Sequence, residues 1–419
     1  MESKAFTDNQ VSQNPLKLIH SDVFELIFQH FHFDDVVKFS EVSPEFFNIS
    51  AGSSKCMSKI NIPSELLVSI KQQNMNSKRF YQSISLTDHC QTPAKKLIEV
   101  VKSVSNNWKC VKILEKKFEG SEFQELMLFI EPTVEELKIS DCEINQISNE
   151  NFRFPKLKKL TIRNCESPAL FIFSNSKLNV NCLNLKVSNK LQVPKKIAVH
   201  DLVKKTILNC DKLEILTLSS WKLSMIFTEN ILKLMECRLK CLEVSVNDRI
   251  SDSEALNKLL TCPKISDLTS LTVKGKTRNL LLENIFKLPK LEKLKLSRLN
   301  LGLPLNLKLN PFIKELHLLD KTLPVPLQKK ILENTPNLKF LSIYAISSQN
   351  IDFIASNCKL IEGMSLAYMW LTNPPAADCL LKLQKLQVAG DVQFLLEQEI
   401  LSKPESERTN FENLILKAI

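Results

Sequence analysis

The residues best suited to catalysis or metal binding are twelve cysteines and six histidines, but their spacing favours neither role. Cys237 with Cys241, and His30 with His32, are the closest pairs. Neither has a second pair at the distance that zinc sites require. No histidine stands beside a recognisable nucleophile motif. We therefore expect no catalytic residue, no metal ion and no cofactor.

The glycines argue against a nucleotide-binding loop, and the distribution of charge argues against a nucleic-acid-binding patch. Six glycines are spread over 419 residues, so neither GxGxxG nor a Walker loop is present. The net charge is +10, and the lysines occur as scattered doublets, such as Lys95–Lys96 and Lys329–Lys330. Scattered lysines favour a solvated surface over a nucleic-acid patch, although a nucleic-acid binder stays an alternative.

The chain is expected to work inside the cell. No apolar run approaches the roughly 20 residues that cross a bilayer, and the opening MESKAFTDNQ lacks the basic start and apolar core of a signal peptide. Many cysteines lie in or just before apolar runs, where reduced thiols act as small hydrophobes. These features predict a soluble protein of the cytoplasm and/or nucleus.

A six-residue pattern, apolar-x-x-Leu-x-apolar, recurs along most of the chain. Examples are LKKLTI from Leu157, LEKLKL from Leu291 and LKFLSI from Leu338. The matches begin at Tyr81, and neighbouring starts are 22 to 33 residues apart. A further candidate match starts at Phe411. About a dozen matches at a near-constant period predict an array of structural repeats.

Each match predicts one short strand, because its apolar residues alternate. Leu160 and Ile162 face one side, and Thr161 and Arg163 face the other. Helical patterns between matches, such as 202–210, return the chain so that successive strands lie parallel. The stacked units then share one apolar core. The sequence predicts an α/β fold in which short parallel strands alternate with helices.

The repeated motif closely resembles the leucine-rich repeat family, whose signature is Leu-x-x-Leu-x-Leu-x-x-Asn/Cys-x-Leu. Cys142 and Cys165 stand at the Asn/Cys position, where that family's side chains hold the turn after each strand, and Trp221 replaces them in another repeat. The resemblance covers about residues 78 to 419. It implies a horseshoe-like solenoid of about 12 to 14 irregular repeats with a C-terminal cap.

The segment before the repeats has helical periodicity. Val23, Ile27 and Phe31 fall at helical spacing, and Asp22 with Glu25 resembles a capping box. Two further short helices are predicted after this one. Seven phenylalanines between positions 24 and 47 exceed what so small a unit buries. We therefore expect part of the segment to contact another protein.

This segment resembles the F-box family, which binds the Skp-type adaptor of cullin–RING ubiquitin ligases. The family pattern is matched by Ile19-His20, Asp22-Val23-Phe24, Ile27-Phe28, Phe31, Asp35-Val36 and Val42 to Phe46. His20 replaces the usual proline, and Phe46 replaces the usual tryptophan. The adaptor-binding residues implied by the resemblance are Leu18, Ile19, Val23, Phe24, Ile27, Phe28, Phe31, Val36, Val37, Val42 and Phe46.

An F-box followed by repeats is the order found in the F-box/leucine-rich subfamily. It implies a polar tail at 1–14, an F-box domain at 15–60 and a leucine-rich repeat domain at 61–419. The implied role is substrate recognition in an SCF (Skp–cullin–F-box) ubiquitin ligase, with cullin and RING subunits recruited through the adaptor. Other subunits would transfer ubiquitin, so this chain is not expected to be an enzyme. Neither nucleic acid nor membrane is an expected partner.

Strand residues that point away from the core are predicted to form a concave, substrate-binding face. Most charged residues there are basic, which favours an acidic or phosphorylated protein segment. The alternative is the ordinary solvated surface of a basic protein. The candidate substrate-binding residues are Lys138, Arg163, Lys186, Lys274, Lys295, His317 and Tyr344. A second candidate surface comprises Tyr344, Tyr368, Met369 and Trp370.

The sequence is also compatible with two other functions. The first is a leucine-rich scaffold whose divergent F-box does not engage a ligase, and the second is a nucleic-acid binder that uses the basic charge. Co-purification with the adaptor separates the ligase subunit from the scaffold. Binding that weakens steeply with salt and ignores acidic peptides would indicate nucleic acid.

Overall fold

The computed structural model describes most residues from Tyr81 onward and short parts of the segment before it. The described residues are 21–28, 30, 38, 42, 46, 49–50, 61–63, 81–87, 93–145, 147, 152–165, 167–186, 193–246, 249–275, 280–298, 306–320, 323–371, 383–388, 392–394 and 397–418. The predicted tail at 1–14 lies outside them. The domain boundaries at 14/15 and 60/61 stay predictions.

The strands follow one another along the chain at the predicted spacing. They are β1 Asn61–Pro63, β2 Ser83–Thr87, β3 Cys110–Leu114, β4 Lys117–Phe118, β5 Glu136–Ser140, β6 Glu143–Ile144, β7 Lys159–Arg163, β8 Cys182–Lys186, β9 Ile215–Ser219, β10 Cys241–Ser245, β11 Ser270–Lys274, β12 Lys293–Ser297, β13 Glu315–Leu318, β14 Phe340–Ser347, β15 Gly363–Leu371, β16 Lys385–Val388 and β17 Val392–Phe394.

Fifteen of these strands form one parallel sheet, as the repeat pattern predicts. Its order is β1-β2-β3-β5-β7-β8-β9-β10-β11-β12-β13-β14-β15-β16, and β17 also pairs with β15. The short strands β4 and β6 form a separate parallel pair. The architecture is therefore a solenoid of parallel strands, as the resemblance to leucine-rich repeats implies.

Helices connect many of the successive strands. They are α1 Ser21–Phe28, α2 Ala94–Val104, α3 Gly120–Ile130, α4 Ser167–Ser174, α5 Val193–Leu208, α6 Leu223–Ile226, α7 Glu229–Leu234, α8 Ile250–Leu260, α9 Leu282–Phe286, α10 Val325–Glu333, α11 Ser348–Asn357, α12 Glu397–Ser402 and α13 Asn410–Ala418. None of the described helices is long and apolar enough to cross a membrane.

The core lies where the strands meet the helices. The second and fourth residues of a strand are buried, as for Leu160 and Ile162 in β7. They belong to the same buried cluster as helix residues such as Ile98, Phe123 and Leu256. Burying each large aliphatic side chain contributes about 1.5–3 kcal/mol. The predicted alternation of core and surface residues is confirmed in strands such as β10, β11 and β12. In β7 the intervening Thr161 is buried as well.

A left-handed residue directly follows several strands. Glu115, Asp141 and Asn164 have φ between 52° and 58°, and Gly275 has φ 103°. The backbone N–H of each of these four residues donates a hydrogen bond of 2.8–2.9 Å. Its acceptor is the carbonyl of the last residue of the strand that comes next in the sheet. Ser220 follows β9 with φ 66°. This repeated turn directs the chain away from the sheet after these strands.

The possible motif match at Phe411 does not form a strand, because this segment, the expected C-terminal cap, forms the helix α13. The Thr409 N–H donates to Glu412 Oε2 at 2.8 Å, and the Glu412 N–H donates to Thr409 Oγ1 at 3.1 Å. This reciprocal cap begins the helix. Phe411 and Ile415, four residues apart, are buried, and the helix packs against β16.

Candidate functional site

The open face of the sheet consists of the first, third and fifth residues of each strand, whose side chains point away from the core. Strand register places them in three rows, which we call the first, middle and last rows. Neighbours within a row are about 4.8 Å apart, and successive rows are about 6.6 Å apart. The middle row contains Lys112, Lys138, Thr161, Asn184, Thr217, Glu243, Thr272, Lys295, His317 and Ser342.

Four basic residues form a cluster on adjacent strands of this face. Lys112 and Lys138 are neighbours in the middle row, and Arg163 and Lys186 are neighbours in the last row. Among the described residues, none of the four forms an ion pair. In the first row beside them, Lys159 is paired with Glu136 at 3.6 Å. We call Lys112, Lys138, Arg163 and Lys186 the basic cluster.

The predicted basic residues farther along the sheet have a different environment. Lys274 forms an ion pair with Glu243 on the neighbouring strand. His317 Nε2 and Lys293 Nζ both lie 2.6 Å from Glu315 Oε1. Carboxylates therefore accompany three basic groups here, and they reduce the net positive charge of the face beyond β10.

The pKa shifts of Glu315 and His317 also reduce the positive charge in this part of the face. Burial by itself raises the pKa of Glu315, but hydrogen bonds from Lys293 and His317 outweigh it and lower the pKa below its usual value. Burial lowers the pKa of His317, and Glu315 offsets this only in part. At neutral pH His317 therefore adds little positive charge. Lys295 and the half-buried Tyr344 lie near this group but outside the basic cluster.

A small apolar patch lies in the first row beside the basic cluster. It contains Cys182, Ile215 and Cys241 on the neighbouring strands β8, β9 and β10. Ile215 is 39% exposed, and both thiols are half-buried. Burial raises the pKa of Cys182, so this thiol stays neutral and apolar at neutral pH. We call these three residues the apolar patch.

Paired charges line the edge of the sheet where the strands begin. The residue before one strand binds the residue before the next, as in Lys158–Glu135 and Lys240–Glu214, both at 2.6 Å. Water screens such exposed pairs, so they contribute little to stability. They neutralise several lysines at this edge, whereas the basic cluster has no such partners among the described residues.

The residues at the Asn/Cys position hold the turns after the strands, as predicted. The Cys165 thiol donates to the Arg163 carbonyl at 3.1 Å. Trp221 takes the same role with a larger side chain, because its Nε1–H donates to the Leu185 carbonyl at 3.0 Å. Both side chains are buried. Within the described part of the chain, no group of three or more His, Cys, Asp or Glu side chains is placed to hold a metal ion.

The amino-terminal helix α1 presents apolar side chains to solvent. Val23, Leu26 and Ile27 are 44%, 60% and 41% exposed, whereas Phe24 is 6% exposed. Of the other predicted adaptor-binding residues, Val42 is exposed. Phe46 is half-buried, and the structure describes only the backbone of Phe28. The remaining predicted adaptor-binding residues lie outside the described residues, namely Leu18, Ile19, Phe31, Val36 and Val37.

Comparison with known proteins finds a distant structural likeness. No protein-family model matches the chain, and no curated protein sequence matches it. The crystal structure of a TLR13–ssRNA13 complex is among the matching solved structures, with 12% sequence identity and a TM-score of 0.37. The match covers 81% of this chain and 56% of that chain. A likeness of this size says nothing about what this chain binds.

Sequence reasoning missed two features of the open face. Lys112 occupies the same motif position as Lys138, one strand earlier, so extending that position to the first repeats would have found it. Glu136 and Glu315 occupy the first strand position, which the predicted face left out. Of the predicted substrate-binding residues, the structure brings Lys138, Arg163 and Lys186 together and separates the others from them.

Proposed function

We propose that this chain is the substrate-recognition subunit of an SCF-type ubiquitin ligase of the cytoplasm and/or nucleus. In this role α1 and the segment after it bind a Skp-type adaptor, while the open face of the solenoid holds a protein substrate. The observation that carries the proposal is the exposure of Val23, Leu26 and Ile27 on one short helix that precedes a long parallel-strand solenoid.

The exposed side chains of α1 are suited to a protein partner. Three large apolar residues within five positions lose contact with water when another protein covers them, which favours association. A helix of eight residues is too short to be stable by itself, so its partner also stabilises it. The polar, repetitive open face stays available for a second protein at the same time.

The substrate-holding role requires no catalytic group in this chain. Holding a substrate near the ubiquitin-transferring subunits raises its effective concentration there. The solenoid provides a wide surface, because each additional strand extends it by about 4.8 Å. The competing proposal is a protein-binding scaffold without a ligase, in which the same open face binds a partner but α1 does not bind the adaptor.

Co-purification of the full chain with a Skp-type adaptor tests the proposal. The variant Val23→Asp/Ile27→Asp places two charges on the exposed side of α1 and should abolish binding. The matched control is Leu234→Asp/Leu309→Asp, which charges two exposed leucines of the solenoid and should bind normally. If the natural chain is folded and does not bind, the scaffold is correct.

A further inference from the structure

We infer that the basic cluster and the apolar patch form one site, which binds an extended peptide segment carrying both an anionic and an aliphatic side chain. The inference rests on the proposed substrate-holding role of the open face, and it defines the class of substrate. It also assigns a binding role to Lys112, Ile215 and Cys241.

The basic cluster provides the anionic half of the site. It places four positive charges on four neighbouring strands, within about 15 Å across the sheet. Arg163 offers a planar guanidinium that binds carboxylate or phosphate through two hydrogen bonds, and the lysines add charge-assisted donors. A phosphorylated side chain carries about −1.5 to −2 charge and suits this concentration of cations better than one carboxylate.

The apolar patch provides the second half. Ile215 is the exposed centre of the patch, and the half-buried thiols of Cys182 and Cys241 flank it on the adjacent strands. An aliphatic ligand side chain placed on Ile215 loses contact with water on one side, which favours binding. Thr217 and Asn184 continue the neighbouring middle row and offer hydrogen bonds to a peptide backbone.

The register fixes the distance between the two halves. Arg163 and Ile215 are two strands and four strand positions apart, which gives a Cα separation of about 16 Å. Lys138 and Ile215 are three strands and two positions apart, which gives about the same distance. An extended peptide covers 16 Å in about five residues. The anionic and aliphatic residues of the ligand are therefore about five positions apart.

A nucleic-acid strand fits this surface less well than such a peptide. It would require a positive groove that continues along its backbone, together with aromatic side chains for base stacking. Here Glu136 stands beside the cluster in the first row, and the next lysine along the sheet, Lys274, is paired with Glu243. The patch beside the cluster contains an isoleucine and two cysteines.

The test measures binding of fluorescein-labelled twelve-residue peptides to the full chain by fluorescence anisotropy at low salt. The peptides have a Ser/Ala background with phosphoserine and leucine five positions apart, in both orders. Matched peptides replace phosphoserine by glutamate or serine, or replace leucine by serine. We expect the phosphoserine–leucine peptide to bind best and its affinity to fall as salt is raised. Binding of the glutamate peptide would show that a carboxylate suffices.

Two variants separate the halves of the site. Lys138→Glu/Arg163→Glu should weaken binding at least about tenfold, whereas the control Lys95→Glu/Lys96→Glu, on the exposed surface of α2, changes the net charge equally and should weaken it less than about threefold. Ile215→Ala should weaken only the leucine-containing peptides, by about three- to tenfold. Circular dichroism of each variant establishes that it is folded.

Three results would overturn the inference. The first is that the natural chain binds none of the peptides. The second is that the cluster variant and its control lose the same affinity for the phosphoserine–leucine peptide. The third is that a single-stranded RNA oligonucleotide of any sequence binds as tightly as that peptide. The adaptor is absent from this assay, so failure here leaves the role of α1 intact. Failure of the adaptor experiment likewise leaves the peptide result intact.

Discussion

Replacing Gly275 by alanine should destabilise the middle of the solenoid. Gly275 directly follows β11 with φ 103°, outside the small left-handed region that L-residues accept. A Cβ atom at this position would lie 2.2 Å from the Val246 carbonyl oxygen. Val246 follows the neighbouring strand β10, and its N–H donates to the Lys274 carbonyl at 2.7 Å. The clash therefore falls on backbone that already takes part in the strand ladder.

The cost of this substitution has two main parts. A non-glycine residue in a sparsely populated backbone region costs about 1–3 kcal/mol. Moving the chain to relieve the clash also weakens the hydrogen bond from the Gly275 N–H to the Ser297 carbonyl, which is 2.9 Å long. Such a bond contributes about 0.5–1.5 kcal/mol. We therefore expect Gly275→Ala to lower the free energy of unfolding by about 2–4 kcal/mol.

The assay is urea unfolding of the full chain followed by circular dichroism, with hydrogen exchange to locate the change. Arg298→Gly is the control, because Arg298 follows the adjacent strand β12 with φ 59°. Glycine accepts this left-handed conformation, so the control at the same repeat position should change the free energy of unfolding by less than about 1 kcal/mol. An unfolding midpoint of Gly275→Ala equal to that of the natural chain would refute the reasoning.

Two further predictions concern buried side chains. Trp221→Phe removes the N–H that donates to the Leu185 carbonyl and should lower the free energy of unfolding by about 1–3 kcal/mol. Urea unfolding measures this change, and an unchanged midpoint would contradict a structural role for the indole N–H. Burial raises the pKa of Cys237 and of Cys358 to about 11, so both should resist alkylation of the native chain at pH 8. Peptide mapping by mass spectrometry should find faster labelling at the half-buried Cys110, Cys241 and Cys262, and equal rates at all five would contradict the burial.

Much of the solenoid could be predicted because its signal is repeated. Strand alternation is a local property, so Leu160 and Ile162 could be assigned to the core from their own motif. Parallel pairing followed from the helical patterns between the motifs. At Phe411 the same pattern failed, because a capping box and apolar residues four positions apart favour a helix over a strand.

The charges on the open face were harder to predict, because they depend on neighbouring strands. The pairing of Lys274 with Glu243 requires the register between β10 and β11, and these residues are 31 positions apart. The contact of His317 with Glu315 is local, but it requires both side chains to lie on one face of β13. The basic cluster emerges only when four strands are aligned.

The turns after the strands were predicted only in part. The Asn/Cys position was recognised, and Cys142 and Cys165 do bind backbone carbonyls. The left-handed residues were not expected, because Glu115 and Arg298 are not typical of that conformation. At Glu115 a hydrogen bond to the Ser140 carbonyl on the neighbouring strand imposes the conformation, and it joins residues distant in sequence.

The most direct test of the account is hydrogen exchange of the full chain with and without a Skp-type adaptor. The proposed function predicts new protection at residues 21–28 and in the segment up to residue 60. Strands β3 to β12 should be unchanged, which leaves the open face available for a substrate. Protection of those strands without any change at 21–28 would contradict the account, because the adaptor would then occupy the proposed substrate site.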